Sequence, residues 1–168
     1  KDYEIIIISD GSKDKSNTIV EKIIKKKGHN ILYFKSLKNY GLTKSLNFIL
    51  KFARGKYIAR HDADDISRKN RFKKQIKFIK KNKNIDVLGS NAIYIEDKLK
   101  YIQMPETNNQ IKNKLLFQNT LVHSSIIMTK KLLLKYKYNE KFSRCQDYEL
   151  WLRIKKHTNY YNLQEYLV

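Results

Sequence analysis

Asp62, Asp64 and Asp65 put three carboxylates within four residues, at the end of an apolar stretch in the segment KYIARHDADD, residues 56–65. Like charges so close repel by roughly 1 kcal/mol at 4 Å in water and about 4 kcal/mol near a protein surface, so gathering them favours a compensating cation. A hydrated divalent metal meets that need, because hard ions such as magnesium take oxygen ligands from one or two carboxylates and leave room for substrate phosphates. A solvated acidic loop accounts for the same residues, and the surrounding elements have to decide between the two. Two further acidic positions stand beside structural signals: Asp10 in the turn DGS, and Asp147 just ahead of YELWLRIKKH.

The elements that position these residues follow from apolar spacing. EIIIIS, residues 4–9, is a continuous β-branched run that reads as a strand buried on both faces. After DGS, Asp14 or Ser16 can cap a helix with Ile19, Val20, Ile23 and Ile24 on one face, ending at Gly28. ILYF, residues 31–34, is a second strand, and after the turn KNYG a helix carries Leu42, Leu46, Ile49, Leu50 and Ala53 at spacings of three and four. A third strand, residues 56–60, then runs into the carboxylates. Strand, helix, strand, helix, strand with short connections predicts an α/β fold with a mostly parallel sheet flanked by helices. In such sheets ligands bind beyond the carboxyl ends of the strands, where both DGS and DADD stand.

Downstream, Phe72, Ile76 and Ile79 mark a helix with basic flanks that closes in KKNKN. IDVLGS and NAIYIE read as strand material that LKYIQ extends; residues 111–117 and KKLLLKY read as short helices, and VHSSIIMT as a strand. Leu150, Trp151 and Ile154 share a helical face, so Trp151 reads as core. With no repeat, Pro-rich linker or low-complexity tail, a single domain over residues 1–168 is expected.

That length can bury a core without staples, and Cys145, the sole cysteine, permits no intrachain disulfide, in keeping with a reducing compartment. No apolar run approaches the roughly 20 residues of a membrane span, and no signal-peptide pattern opens the sequence. The net charge of +20 invites phosphate or membrane partners. Only six of the 36 basic residues are Arg, whereas reading base edges favours the arginine fork. Lysines spread over almost every predicted helix, which favours a solvated basic surface, then an anionic membrane surface, over specific nucleic-acid binding.

Taken in order, KDYEIIIISDGSKDKS, KNYGLTKSLNFILKFARGKYIARHDADD, HSSIIMTK and QDYELWLR resemble the family 2 glycosyltransferases with a GT-A fold, over essentially the whole chain. The resemblance implies transfer of a sugar, with inversion, from a nucleotide-diphosphate donor such as a UDP-sugar to a hydroxyl of a sugar, lipid-linked or protein acceptor. It implies a divalent metal, Mn2+ or Mg2+, and a place at the cytoplasmic face of a membrane in polysaccharide, lipid-linked glycan or glycoprotein synthesis. By the same resemblance Asp10 meets the nucleotide base, Asn39 and Lys44 lie near the donor, and Asp64 holds the metal. Asp62 meets the ribose or assists the metal, and Asp147 is the catalytic base. Plainer roles stay open beside these: a turn-former for Asp10, helix caps for Asn39 and Asp147, a solvated lysine for Lys44, packing or hydrogen bonding for His61, and packing for His123. Asp65 reads as a turn cap.

Ser9 and Gln146 depart from the family, which commonly carries Asp and Glu there. Members also open with a further strand and helix before KDYE and continue beyond NLQEYLV. The chain is therefore expected to be an internal piece of a longer catalytic domain, with exposed strand edges. A non-catalytic nucleotide-sugar or glycan-binding module of the same fold is the competing reading.

Overall fold

A computed structural model describes residues 3–27 and 30–168. Gly28, the expected end of the first helix, lies outside the described residues. The chain divides into two compact units, Lys1–Lys56 with Lys137–Gln146, and Tyr57–Tyr136 with Asp147–Val168.

The first unit contains strand β1 (Ile5–Asp10), helix α1 (Ser16–Lys27), strand β2 (Ile31–Ser36) and helix α2 (Leu42–Leu50). The strands pair in parallel, from Ile5 opposite Ile31 to Asp10 opposite Ser36. Asp14 Oδ1 accepts the Ser16 N–H at 3.0 Å and so opens α1. The expected burial of β1 on both faces is not met: Ser9 is buried, Ile6, Ile7 and Ile8 are half-buried and Ile5 is exposed. A two-stranded sheet offers too little partner surface for that, and Ile19 and Ile23 on α1 are likewise exposed. The helix α2 buries Thr43, Ser45, Leu46, Asn47 and Leu50. Asn47 exchanges hydrogen bonds with the Tyr138 backbone at 2.9 and 3.0 Å, which ties the returning segment Lys137–Gln146 to this unit.

The second unit runs through β3 (Tyr57–Ala59), α3 (Arg71–Lys81), β4 (Val87–Ile95), β5 (Leu99–Ile102) and α4 (Asn108–Lys114). A 3-10 turn, His123–Ser125, leads into β6 (Ile127–Thr129), followed by α5 (Lys130–Tyr136), α6 (Gln146–Ile154), a second 3-10 turn, Lys155–His157, and β7 (Tyr160–Tyr166). The sheet order is β3-β6-β4-β5, with β7 also on β4. The α/β class stands, and parallel pairing holds for β1 with β2 and for β4 with β7. β6 is antiparallel to both β3 and β4, and β5 returns antiparallel from β4, so this sheet is mixed. The β4–β5 connection is too short for a crossover, which leaves antiparallel pairing as the geometry available.

Val87 and Leu88 of β4, Ile111 and Leu115, and Leu150, Trp151 and Ile154 of α6 are fully buried, so Trp151 is core as its spacing predicts. Asn162 of β7 is buried among them, its amide donating to the Pro105 carbonyl at 2.7 Å and the Thr120 carbonyl at 3.0 Å. Its partner on β4 is Gly89, where an added Cβ would stand 2.2 Å from Asn162 Oδ1, so the glycine admits the asparagine.

Candidate functional site

In the first unit the acidic turn at the end of β1 works on its own neighbours. Asp10 Oδ1 accepts the Tyr40 N–H at 2.9 Å and Oδ2 accepts the Gly41 N–H at 2.8 Å. Gly11 makes this grip possible. Its φ is +75°, and a Cβ there would lie 2.7 Å from Asn39 N and 2.8 Å from the Lys38 carbonyl carbon. Asn39 Oδ1 also accepts the Gly41 N–H, at 3.0 Å. Asn39 is thus a turn residue and not the helix cap: the N-cap of α2 is Gly41, with no side-chain cap. Lys44 is exposed in the first turn of α2. Asp10 and Asn39 meet at one backbone N–H, and each Asp10 oxygen keeps a second lone pair.

In the second unit the backbone leaves β3 with the Arg60 N–H on the Ile126 carbonyl at 2.9 Å, then turns at residues 62–65, where the Asp65 N–H meets the Asp62 carbonyl at 3.3 Å. Asp62 is held on both oxygens: Oδ1 accepts from the Arg60 guanidinium, and Oδ2 accepts the Ser124 hydroxyl at 2.6 Å. Asp64 and Asp65 are exposed. His61 Nδ1 stands 3.4 Å from Ser67 Oγ and 3.5 Å from Arg71 Nη1, which is the hydrogen-bonded role its position suggested.

Beneath this turn lies Arg71, fully buried. Its guanidinium donates to the Arg60 carbonyl at 2.8 Å, to Ser67 Oγ at 2.8 Å and to Gln75 Oε1 at 3.2 Å, and Gln75 donates onward to the Ser125 carbonyl at 2.7 Å. Burial pushes the Arg71 pKa down to about 10, opposed by the charge of Asp65, so the group is cationic at neutral pH. One cation therefore ties the strand end at Arg60 to Ser67, beyond the acidic turn, and through Gln75 to the His123–Ser125 turn.

Asp147 lies in the first turn of α6, inside the helix and not ahead of it as a cap. Its Oδ2 accepts the Asn119 amide at 2.8 Å, and Asn119 Oδ1 in turn accepts the Leu121 N–H at 3.2 Å. His123 sits edge-on to Trp151, ring centroids 6.3 Å apart. Burial and the nearby Arg60 push its pKa down to about 4 against the opposing pull of Asp147 and Asp62, so the imidazole is neutral at pH 7. Arg60, Asp62, Ser124, His123, Asp147 and Asn119 thus form one electrostatic neighbourhood.

Arg71, Ser124 and Asn119 escape the sequence reading. A signal for the first was present: in a lysine-biased chain, four of the six arginines, Arg54, Arg60, Arg68 and Arg71, flank the carboxylates.

Among the described residues no group of three or more His, Cys, Asp or Glu side chains could enclose a metal ion. An exposed Asp64 beside the held Asp62 suits a hard cation that completes its shell with ligand oxygens. No helix of the described residues is long and apolar enough to cross a membrane.

The model of the family described as Glycosyl transferase family 2 matches residues 1–142. An uncharacterized glycosyltransferase of Methanocaldococcus jannaschii, MJ1057, is 36% identical over 157 residues, covering 91% of this chain and 54% of the relative. The amylovoran biosynthesis glycosyltransferase AmsE of Erwinia amylovora is 30% identical over 119 residues, covering 70% of this chain and 45% of the relative. The chain thus spans about half the length of these relatives. Among solved structures, S. aureus TarS 1–349 in complex with UDP aligns with a TM-score of 0.80 at 22% identity, over 99% of this chain and 50% of that one. The mannosyltransferase PcManGT of Pyrobaculum calidifontis, in complex with GDP-Man and Mn2+, aligns with a TM-score of 0.71 at 11% identity, over 96% of this chain and 46% of that one. These likenesses give the fold as GT-A. With its sequence matched over residues 1–142, the chain belongs to glycosyl transferase family 2.

Proposed function

We propose that the 168 residues are part of one catalytic domain that moves a sugar, with inversion, from a nucleotide-diphosphate sugar to an acceptor hydroxyl. The observation that carries this reading is the pair of braced carboxylates in the second unit. Asp62 is fixed by Arg60 and Ser124, while Asp147 is fixed on one oxygen by Asn119. Binding of UDP by TarS and of GDP-Man with Mn2+ by PcManGT supports the donor class.

In the first unit, Asp10 holds the residue 38–41 segment and offers its remaining lone pairs to the nucleotide base, with uracil the proposed base. Asn39 shares that segment, and Lys44 offers a cation to the diphosphate. In the second unit, Asp62 is a donor contact kept in one orientation by its two partners. Asp64, with Asp62 beside it, would hold Mn2+ or Mg2+, which when bound neutralises charge on the departing nucleoside diphosphate.

Asp147 takes the proton from the acceptor hydroxyl with the oxygen that Asn119 leaves open. The acceptor oxygen forms its bond to the anomeric carbon as the bond to the diphosphate oxygen breaks, and attack from the face opposite the leaving group inverts that carbon. The acceptor we propose is a sugar or lipid-linked hydroxyl in polysaccharide synthesis, a reading the name of AmsE supports. A basic surface of net charge +20 suits peripheral work at the cytoplasmic face of an anionic membrane.

The test is a panel of UDP- and GDP-sugars with Mn2+ and Mg2+, given to the full-length protein that carries this chain. Turnover that needs the metal and falls by roughly a hundredfold or more in Asp64→Ala is expected. Absence of transfer or donor hydrolysis from every sugar nucleotide, or an Asp64→Ala variant as active as the wild type, would refute it.

A further inference from the structure

A cleft of about 320 Å³ opens in the second unit where Phe78, Asn82, Asn84, Asn108, Asn159 and Tyr161 come together. It belongs to the other edge of the sheet from Asp62. Both β3 and β4 run antiparallel to β6, so they share a direction, and Asp62 follows the carboxyl end of β3. The cleft instead gathers at the amino ends of β4 and β7, which are parallel.

Its lining is neutral. In a chain with 36 basic residues, no Lys, Arg, Asp or Glu among the described residues lines it. It carries none of the charged groups through which the carboxylate edge is proposed to act on phosphate. Asn82 donates its amide to the Phe78 carbonyl, Asn108 accepts the Tyr160 N–H and Asn159 donates to the Asn84 carbonyl, each at 3.0 Å. These bonds fix the amide planes and use one end of each. Asn82 Oδ1, Asn108 Nδ2 and Asn159 Oδ1 are left as two acceptors and a donor. The apolar part of the wall is Phe78 packed on Tyr161, centroids 4.7 Å apart. The Tyr161 hydroxyl is anchored on Glu106, which pushes its pKa up to about 12.

Oriented neutral donors and acceptors beside aromatic carbon match a ring with vicinal hydroxyls and an apolar C–H face. The volume lies at the small end of ligand sites, roughly 300–1,000 Å³. We infer that this cleft binds a neutral sugar ring of a glycan, as a site separate from the carboxylate edge. It does not depend on the proposed transfer reaction, since the lining binds a sugar whether or not the chain transfers one.

The test is an NMR titration of the full chain, following the side-chain amide resonances with maltose, cellobiose and diacetylchitobiose at up to about 50 mM. Glycerol and inorganic phosphate serve as controls. Saturable shifts at Asn82, Asn84, Asn108 and Asn159 with at least one disaccharide and neither control are expected. Asn159→Ala, an exposed position, and Asn82→Ala, which each remove an Oδ1 acceptor, should each weaken that binding roughly tenfold, the loss of about one good hydrogen bond. The inference is overturned if none of the three sugars shifts these amides, if glycerol shifts them equally, or if both variants bind as the wild type does.

Discussion

Two residues carry more of the site than their types suggest. Arg71 sits fully buried and spends its guanidinium on the Arg60 carbonyl, Ser67 and Gln75. Removing it leaves buried acceptors unpaired, at about 1–3 kcal/mol for each. Arg71→Ala is expected to lower unfolding free energy by more than about 2 kcal/mol in urea titration, and Arg71→Lys to restore only part of that, because a single ammonium cannot reproduce the fork. His123 makes a pH prediction with a definite sign. Its folded pKa is about 4 against an ordinary 6.5, so below pH 6.5 the unfolded chain takes up a proton that the folded one refuses. Stability from this group is complete above pH 6.5 and falls as pH drops from 6.5 towards 4, by on the order of 3 kcal/mol. Thermal melts in EDTA should show this slope in the wild type and a flatter one in His123→Gln.

Among the elements, the turn after β1 shows how the fold makes an acidic residue useful. Gly11 is constrained twice, by φ +75° and by the backbone of residues 38 and 39, whereas Gly41 at φ +91° has open space around its missing Cβ. Gly41→Ala is therefore expected to cost only backbone strain, about 1–3 kcal/mol. Gly11→Ala should cost distinctly more, because pushing residues 38 and 39 away also breaks the hydrogen bonds from Tyr40 and Gly41 to Asp10. Chemical denaturation of both variants measures the difference. The first four elements were legible because their apolar spacing is uninterrupted, and Gly41 and DGS punctuate it. Farther on, legibility fails for a physical reason. IDVLGS and NAIYIE both read as strand material and β4 runs through both, but the reason for Gly89 inside it, to admit Asn162, lies on a strand distant in sequence. The same Asn162, a buried polar residue at a core position, hides the alternation of β7, which no apolar pattern reveals. In the site, the carboxylates announce themselves by type and spacing. Their partners Ser124 and Asn119, and Arg71, which braces the neighbouring backbone through the Arg60 carbonyl and Ser67, do not, since each is distant in sequence or looks like one more surface polar group.

At the scale of the whole molecule, charge is the property that no single site explains. A surface carrying +20 should bind vesicles rich in anionic lipid, and that binding should fall steeply as salt shortens the Debye length from about 10 Å at 0.1 M to about 3 Å at 1 M. Co-sedimentation with anionic and neutral vesicles, with duplex DNA as a competitor, measures it. Membership of the family and the GT-A fold set the kind of chemistry, and the braced carboxylates of the second unit set where we propose it is carried out. The most direct measurement compares Asp147→Asn with the wild type in the full-length protein, following both donor affinity by calorimetry and the anomeric configuration of the product by NMR. An asparagine can still accept the Asn119 amide, so the local structure should hold. The expected result is an inverted product from the wild type, and in the variant a kcat lower by about 10²–10⁴ with donor affinity within about twofold. Full turnover in Asp147→Asn, or a product of retained configuration from the wild type, would contradict the assignment.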